Sequence, residues 1–458
     1  MIYYGNHYNG ELIMSQGYRI IIQKEQNNGT FDSGDVVYEG EYTHPSTLMQ
    51  LGLRHATQIN ILSALQESIL KSQSVDLQES IQYCPNCGYE VIRNGTNHST
   101  FNAVFTDHKI PVHRLKCTHC HWNSVPSIKS LFGSQLHPDL VKLQCEHGSK
   151  ESYSVAQTTL NAMCAGKRSV NNAMSLRKVV EMVGNYAADH PDKTLPKNIP
   201  AAKKLIIQVD GGHVASKDKT QRSFEALTSV VYKPEAIIPG KKKRTTGSIS
   251  SKHCAASSVK DEGKYINELT LVAAKKEGLT TSTHITALCD GADNCWKIID
   301  SLKPHAASIT EILDWFHIAK KFQNVRMGES KNKALIKAKF ALWHGNVDKA
   351  LDKLHALLIS DSQIKQKDRL ASLIGYINNN RKKIVNYEKR YKEGEAITSQ
   401  MAESTVESLI NQRCKGKRHM QWSPEGLHPV LQLRALASSN DWNINWQHYV
   451  IEAYAKAA

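Results

Sequence analysis

The sequence predicts a multidomain protein: an α/β core interrupted by an all-α insertion, preceded by a cysteine ribbon and a helix-turn-helix. Three observations lead there. Two apolar runs, Leu205 to Val209 and Ile285 to Cys289, stop abruptly at Asp210-Gly211-Gly212 and Asp290-Gly291, and each reads as a buried strand with a carboxylate at its exit. Two C-x-x-C pairs, Cys84/Cys87 and Cys117/Cys120, have the spacing of metal knuckles. A nearly all-helical stretch then separates the second Asp from a third acid, Glu403, on a segment of helical spacing.

A chain of 458 residues is long enough for roughly three domains. Its 58 Lys and Arg against 43 Asp and Glu leave a net charge of +15, so a polyanion is the expected partner and nucleic acid the commonest one. No apolar run approaches membrane-spanning length and no secretory leader is evident, so a soluble, cytoplasmic protein with no membrane partner is expected. Four of the ten cysteines form the two pairs and the rest are scattered, which fits a reducing compartment with a metal site.

Residues 1–80 read as a small α/β unit. Tyr18 to Gln23 and Val36 to Tyr42 have β character, Ser46 to Leu70 has helical spacing, and no chemistry is visible. Residues 81–135 form the ribbon, in which Cys84, Cys87, Cys117 and Cys120 are expected to bind one structural Zn²⁺. A redox role is the competing reading, although redox folds rarely need two pairs. His108, His113, His119 and His121 are spare ligands nearby.

Residues 136–190 carry the helix-turn-helix. A first helix runs from Ser154 to Ala165 with Val155, Leu160 and Met163 inward, and a second, capped by Ser169, runs to about Val183. This phase aims Asn171, Asn172, Ser175, Arg177 and Lys178 outward to a DNA groove. A proline-containing linker leads into the core at residues 201–317. There, Phe224 to Tyr232 is a strand beside the Asp210 strand, and Lys241, Lys242, Lys243 and Arg244 form a basic loop, either a solvated turn or a phosphate contact. A further strand ends at Asp314-Trp315-Phe316-His317, where Asp314 either caps the next helix or belongs to the active site. Residues 318–396 are the helical insertion, and residues 397–458 return to the core.

Asp210, Asp290 and Glu403 together offer the oxygen donors that hold two divalent cations, Mg²⁺ or Mn²⁺, for phosphodiester displacement. Glu407 lies on the same helical face as Glu403, and position alone does not choose between them. Cys289 and Cys295 flank the second acid as buried small residues. Arg413, Lys415, Lys417 and Arg418 follow closely and suit phosphate contact.

At this point the chain resembles a known family, the ISKra-type insertion-sequence transposases, distantly Mutator-like. The matching stretches are Val209-Asp210-Gly211-Gly212-His213-Val214, Cys289-Asp290-Gly291-Ala292 leading to Trp296, Ile312 to His317, Leu342-Trp343-His344-Gly345, Asn379-Asn380-Arg381, and Ala402-Glu403-Ser404 followed by Arg413, Met420 and Trp422. Single motifs are weak, but six in the family's order are specific. The family usually has a Gly-Ser-Gly turn before its Val-Glu-Ser; here the stretch reads Thr398-Ser399-Gln400-Met401-Ala402.

The resemblance implies a ribonuclease H-like core and a DDE transposase that binds terminal inverted repeats, cleaves at the ends and transfers 3′-hydroxyls into target DNA. It selects Glu403 over Glu407 and puts Asp314 and His317 beside the active site or on DNA. It also implies a homodimer or larger assembly on double-stranded DNA, associated with the nucleoid. Two other readings stay open: a transposase-derived DNA-binding regulator with an inert core, and a stand-alone metal-dependent nuclease. The first would be marked by loss of an acid, and all three are present.

Overall fold

Alternation and turn residues build the first strands. The computed structural model describes residues 2–8, 11–41, 44–79, 81–164, 166–238, 248–325, 329–360, 364–399, 407–414 and 420–457. The chain divides into two units, Met1–Val179 with Val450–Ala458, and Val180–Tyr449.

The first unit begins with an antiparallel sheet of β1 (Ile2–Tyr8), β2 (Glu11–Ile22) and β3 (Asp35–Glu41), one strand more than the sequence predicts. Helix α1 (His55–Glu79) starts later than expected because Gly52 sits at φ 72°, a left-handed turn no helix can pass through. The ribbon is a long hairpin of β4 (Val91–Asn102) and β5 (Asp107–Cys117) with the short β6 (Asn123–Ser124) beside β5. After α2 (Ile128–Phe132) come three helices, α3 (Pro138–Lys150), α4 (Tyr153–Ala162) and α5 (Ala173–Asp189). Ser152 caps α4 through Val155 N, so the helix phase buries Ala156 and Leu160 and leaves Val155, expected inward, exposed.

The second unit is built on a five-stranded sheet of order β11-β8-β7-β12-β13, where the strands are β7 (Lys204–Ala215), β8 (Ser223–Tyr232), β11 (His253–Ser257), β12 (His284–Cys289) and β13 (Ser308–Leu313). The two-residue strands β9 (Ile237–Ile238) and β10 (Ser248–Ile249) pair apart from it. β8 runs antiparallel to both β7 and β11, whereas β7, β12 and β13 are mutually parallel neighbours. Helices α6 (Lys264–Lys276) and α7 (Asp293–Ser301) make the connections that parallel strands require. Leu205, Ile207, Val209, Ile285, Ala287, Leu288, Ile312 and Leu313 are buried in one core. Such unbroken apolar runs are expected of parallel strands covered on both faces.

Beyond β13 the described residues are helical through α8 (Trp315–Asn324), α9 (Glu329–Trp343), α10 (Val347–Ser360), α11 (Ile364–Asn379) and α12 (Tyr387–Glu393), and their leucines join the same core. A π-helical turn, Glu407–Asn411, precedes α13 (Pro424–Ser438) and α14 (Asp441–Ala457). Among the described residues no helix is long and apolar enough to cross a membrane.

Candidate active site and metal centre

Strand register brings the acids of the second unit to one level. Val209, Cys289 and Leu313 are direct partners across β7, β12 and β13, so the next residues, Asp210, Asp290 and Asp314, stand at one level across three parallel strands. Asp290 and Asp314 follow their strands, as expected. Asp210 does not: β7 runs on to Ala215, paired with β8, and Asp210 faces Thr228 within it. The two glycines after Asp210 are therefore not a turn. A Cβ at Gly212 would come within 2.9 Å of Ile410, and one at Gly211 would overlap the Glu225 carboxylate, so both positions need the space rather than the flexibility.

Asp314 is fully buried. Its Oδ1 accepts from Phe316 N at 2.8 Å and caps α8, while Ser399 Oγ donates to Oδ2 and His317 Nε2 lies 3.7 Å from that oxygen. Asp314 thus caps α8, and strand register also sets it beside Asp290. Burial raises its carboxyl above the usual aspartate value of 3.8. Burial also raises Asp210, opposed by the nearby His317 and reinforced by the charges of Asp290 and Asp314.

The turn after Asp290 is clamped by the helical insertion. Asp290 Oδ1 accepts from Ala292 N at 2.9 Å, Tyr376 Oη donates to the Asp290 carbonyl at 2.7 Å, and Asn380 accepts from Trp296 Nε1 at 3.1 Å while its amide faces the Gly291 carbonyl. Gly291 has φ 98°, and a Cβ there would overlap Tyr376, Asn380 and Leu313. Lys383 sits 3.9 Å above the Trp296 ring and Lys321 4.4 Å above that of Tyr376, which places two cations at the edge of the acid centre.

Glu403, the Lys241 to Arg244 loop and Lys415 lie outside the described residues. Glu407 is exposed, and its Oε2 accepts from Asn411 Nδ2 at 2.5 Å. Arg413, expected to face phosphate, is fully buried, with its guanidinium 4.8 Å from the Trp422 ring. The expectation of an exposed cation there is corrected: the flat guanidinium is stacked inside the fold. Cys289 and Cys295 are buried as expected. Glu225, Asn294, Ser399 and Tyr376 also belong to this neighbourhood and went unnoticed in the sequence, where each looks like an ordinary strand, loop or helix residue.

In the first unit the four ribbon cysteines converge. Their sulfurs all lie within 4.8 Å of one another, with Cys84 to Cys120 and Cys87 to Cys117 at 3.5 Å. That is near the roughly 3.8 Å edge of a tetrahedron built on Zn–S bonds of about 2.3 Å. Each knuckle is a tight turn: Gly88 at φ 72° returns its N–H to Cys84 O, and His121 at φ 57° closes the second. The Cys120 backbone N–H, helped by that of His119, draws the Cys117 thiol down to about 7. Tyr89's backbone N–H acts the same way on Cys87, but burial and the three neighbouring thiols push it up to about 12. One thiolate forms readily and makes the next unfavourable, a conflict that a bound dication removes. Among the described residues no histidine joins this group, and His119 stacks on Tyr89 instead.

The helix pair departs from its expected phase. Ser169–Asn171 is a 3₁₀ turn and α5 begins only at Ala173. Asn171, expected to face a groove, is fully buried and accepts from Gln144 Nε2 at 3.1 Å, while Asn172 caps α5 through Ser175 N at 2.8 Å. Both are corrected to structural residues: a buried amide needs its partners and a helix start needs its cap. Arg177 and Lys178 are exposed, as expected. Arg168 ties this turn to the ribbon hairpin, donating to Val104 O at 2.7 Å and to Asp107.

Fold and sites together define a mixed α/β multidomain protein with a four-cysteine cluster that could hold zinc. The chain belongs to the family described as "Uncharacterised protein family (UPF0236)", whose profile matches residues 149–446. No curated protein matches it. Among solved structures it is similar to the "Drosophila P element transposase strand transfer complex", at 11% identity over 67% of this chain and 80% of that chain, with a TM-score of 0.22. At that score the likeness says nothing about fold or function.

Proposed function

We propose that the protein is a DDE transposase of ISKra type, with a ribonuclease H-like core in which Asp210, Asp290 and Glu403 hold two Mg²⁺ or Mn²⁺ ions. The observation that carries this reading is the row of aspartates at one level of three parallel strands, beside an antiparallel hairpin. The donor set suits the ions: hard carboxylate oxygens, crowded and partly buried, whose charge needs a cation. Glu403 is favoured by its flanks. Ser399 bonds Asp314 on one side, and on the other Ile410 of the π turn packs over Gly212, two residues from Asp210.

When bound, such ions activate an attacking oxygen and stabilise a leaving one. The chain's own side chains orient that chemistry. Asp314, locked by Ser399 and Phe316 N, holds His317, whose positive form offsets the charge of Asp210. Water first hydrolyses the phosphodiester at a transposon end and releases a 3′-hydroxyl, which then displaces a target phosphodiester. Arg177 and Lys178 on α5, the Lys241 to Arg244 loop and Lys415 would contact DNA; the ribbon would hold one Zn²⁺ and recognise the terminal repeats with the helix pair. Two ends imply at least a dimer.

A strand-transfer assay with the element's own ends tests this. Joined products are expected; cleavage without joining would identify a stand-alone nuclease, and end binding without cleavage a regulator. Arg177→Ala should cost about 1 to 3 kcal/mol on terminal-repeat DNA and little on scrambled DNA; equal losses on both would remove α5 from base reading.

A further inference from the structure

Glu225 belongs to β8, where its backbone partner is His213, but its side chain does not stay there. It crosses β7 at Gly211, its Oε1 filling the space a methyl at that position would need, and its Oε2 accepts a 2.6 Å hydrogen bond from Asn294 Nδ2 in the first turn of α7. Gly211 follows Asp210 directly, and Asn294 lies in the short segment leaving Asp290. One side chain therefore spans from the neighbouring strand, over the strand bearing the first acid, to the segment that follows the second. Gly211 does not adopt a positive φ, so the glycine serves close approach and not an unusual backbone.

We infer that Glu225 is a positioning residue, a brace with Asn294 that fixes the separation of Asp210 and Asp290 and thereby sets the affinity of that pair for divalent cations. This rests on the proposed reading of Asp210 and Asp290 as cation ligands. The brace acts through the Oε2 to Asn294 hydrogen bond, so it depends on an acceptor at position 225 and not on charge. Partners of this kind, one bond removed from the ligands, typically alter metal affinity 10- to 100-fold when lost.

Mn²⁺ binding to the full, zinc-loaded chain, followed by electron paramagnetic resonance alongside thermal melting, tests the inference. Glu225→Ala, Asn294→Ala and Gly211→Ala should each weaken Mn²⁺ binding about 10- to 100-fold, with melting of the second unit nearly unchanged. Glu225→Gln, which keeps an acceptor for Asn294, should bind as wild type does. Gly211→Ala displaces only the end of a flexible side chain, so it probes the brace from the opposite side even if Glu225→Ala folds poorly. Loss in Glu225→Gln equal to that in Glu225→Ala would overturn the brace in favour of a charge effect, and wild-type binding in all variants would overturn it outright. If Asp210→Asn binds Mn²⁺ as well as wild type does, the cation reading itself falls and the brace with it.

Discussion

In the first unit four sulfurs meet because two tight turns at the base of one hairpin point them at each other; in the second, three aspartates share one level of the sheet because three strands are in register. The ribbon gathers its donors locally, so the turn residues specify the site almost completely. The acid centre depends on long-range pairing and on helices that arrive from far along the chain, such as α11 with Tyr376 and, just past its end, Asn380. The two also differ in how they carry crowded charge. One ribbon thiol is drawn down while its neighbour is pushed up, whereas burial raises Asp210 and the nearby charges of Asp290 and Asp314 add to the shift.

The largest effect expected from this contrast is on chemistry without folding. Asp210→Asn or Asp290→Asn keeps size and removes charge, so DNA cleavage should fall by at least about 100-fold while the protein melts no earlier than wild type and keeps its zinc. Full cleavage by either variant would break the contrast, because the acid row would then be architecture only. Next comes folding without chemistry. Cys117→Ser, or a strong chelator, should release one zinc per chain and unfold β4 to β6, since binding and folding energy are one quantity in such a module. Protease mapping should show cuts confined to the ribbon, and absence of zinc by elemental analysis would remove the metal reading.

The smallest effect concerns pH. Burial raises Asp210 and Asp314 above 3.8, so the folded chain holds protons that the unfolded chain has already lost. Stability of the metal-free protein should therefore fall as pH rises from near 3.8 through the raised values, and divalent cations should reverse the loss. Asp314→Asn should flatten this dependence and raise the melting midpoint at neutral pH by roughly 2 to 4 °C, a gain of about 1 kcal/mol. An unchanged pH profile in that variant would show that its burial is compensated by Ser399 and His317.

The cysteine pairs, the apolar strands and the Asp290-Gly291 turn were legible in the sequence because each is a local pattern with a local cause. Gly211-Gly212 misled, since glycine marks turns more often than it marks close packing, and here Glu225 and Ile410 occupy the space. Asn171 misled for a related reason: a 3₁₀ turn delays α5 to Ala173, and the shift carries that side chain from surface to interior. The Glu225 to Asn294 contact had no sequence signal at all, because only register puts β8 across β7 from α7.

The clamps from α11 carry a consequence for anyone wishing to trim this chain. The helices between β13 and the π turn look like a removable accessory, because the sheet is complete without them. Yet Tyr376 and Asn380 are the hands that hold the Asp290 loop closed around a glycine that tolerates no side chain. A minimal version that deletes the block would keep its strands and lose the shape of its second acid, so any working miniature must retain α11 and graft it back within reach of Gly291.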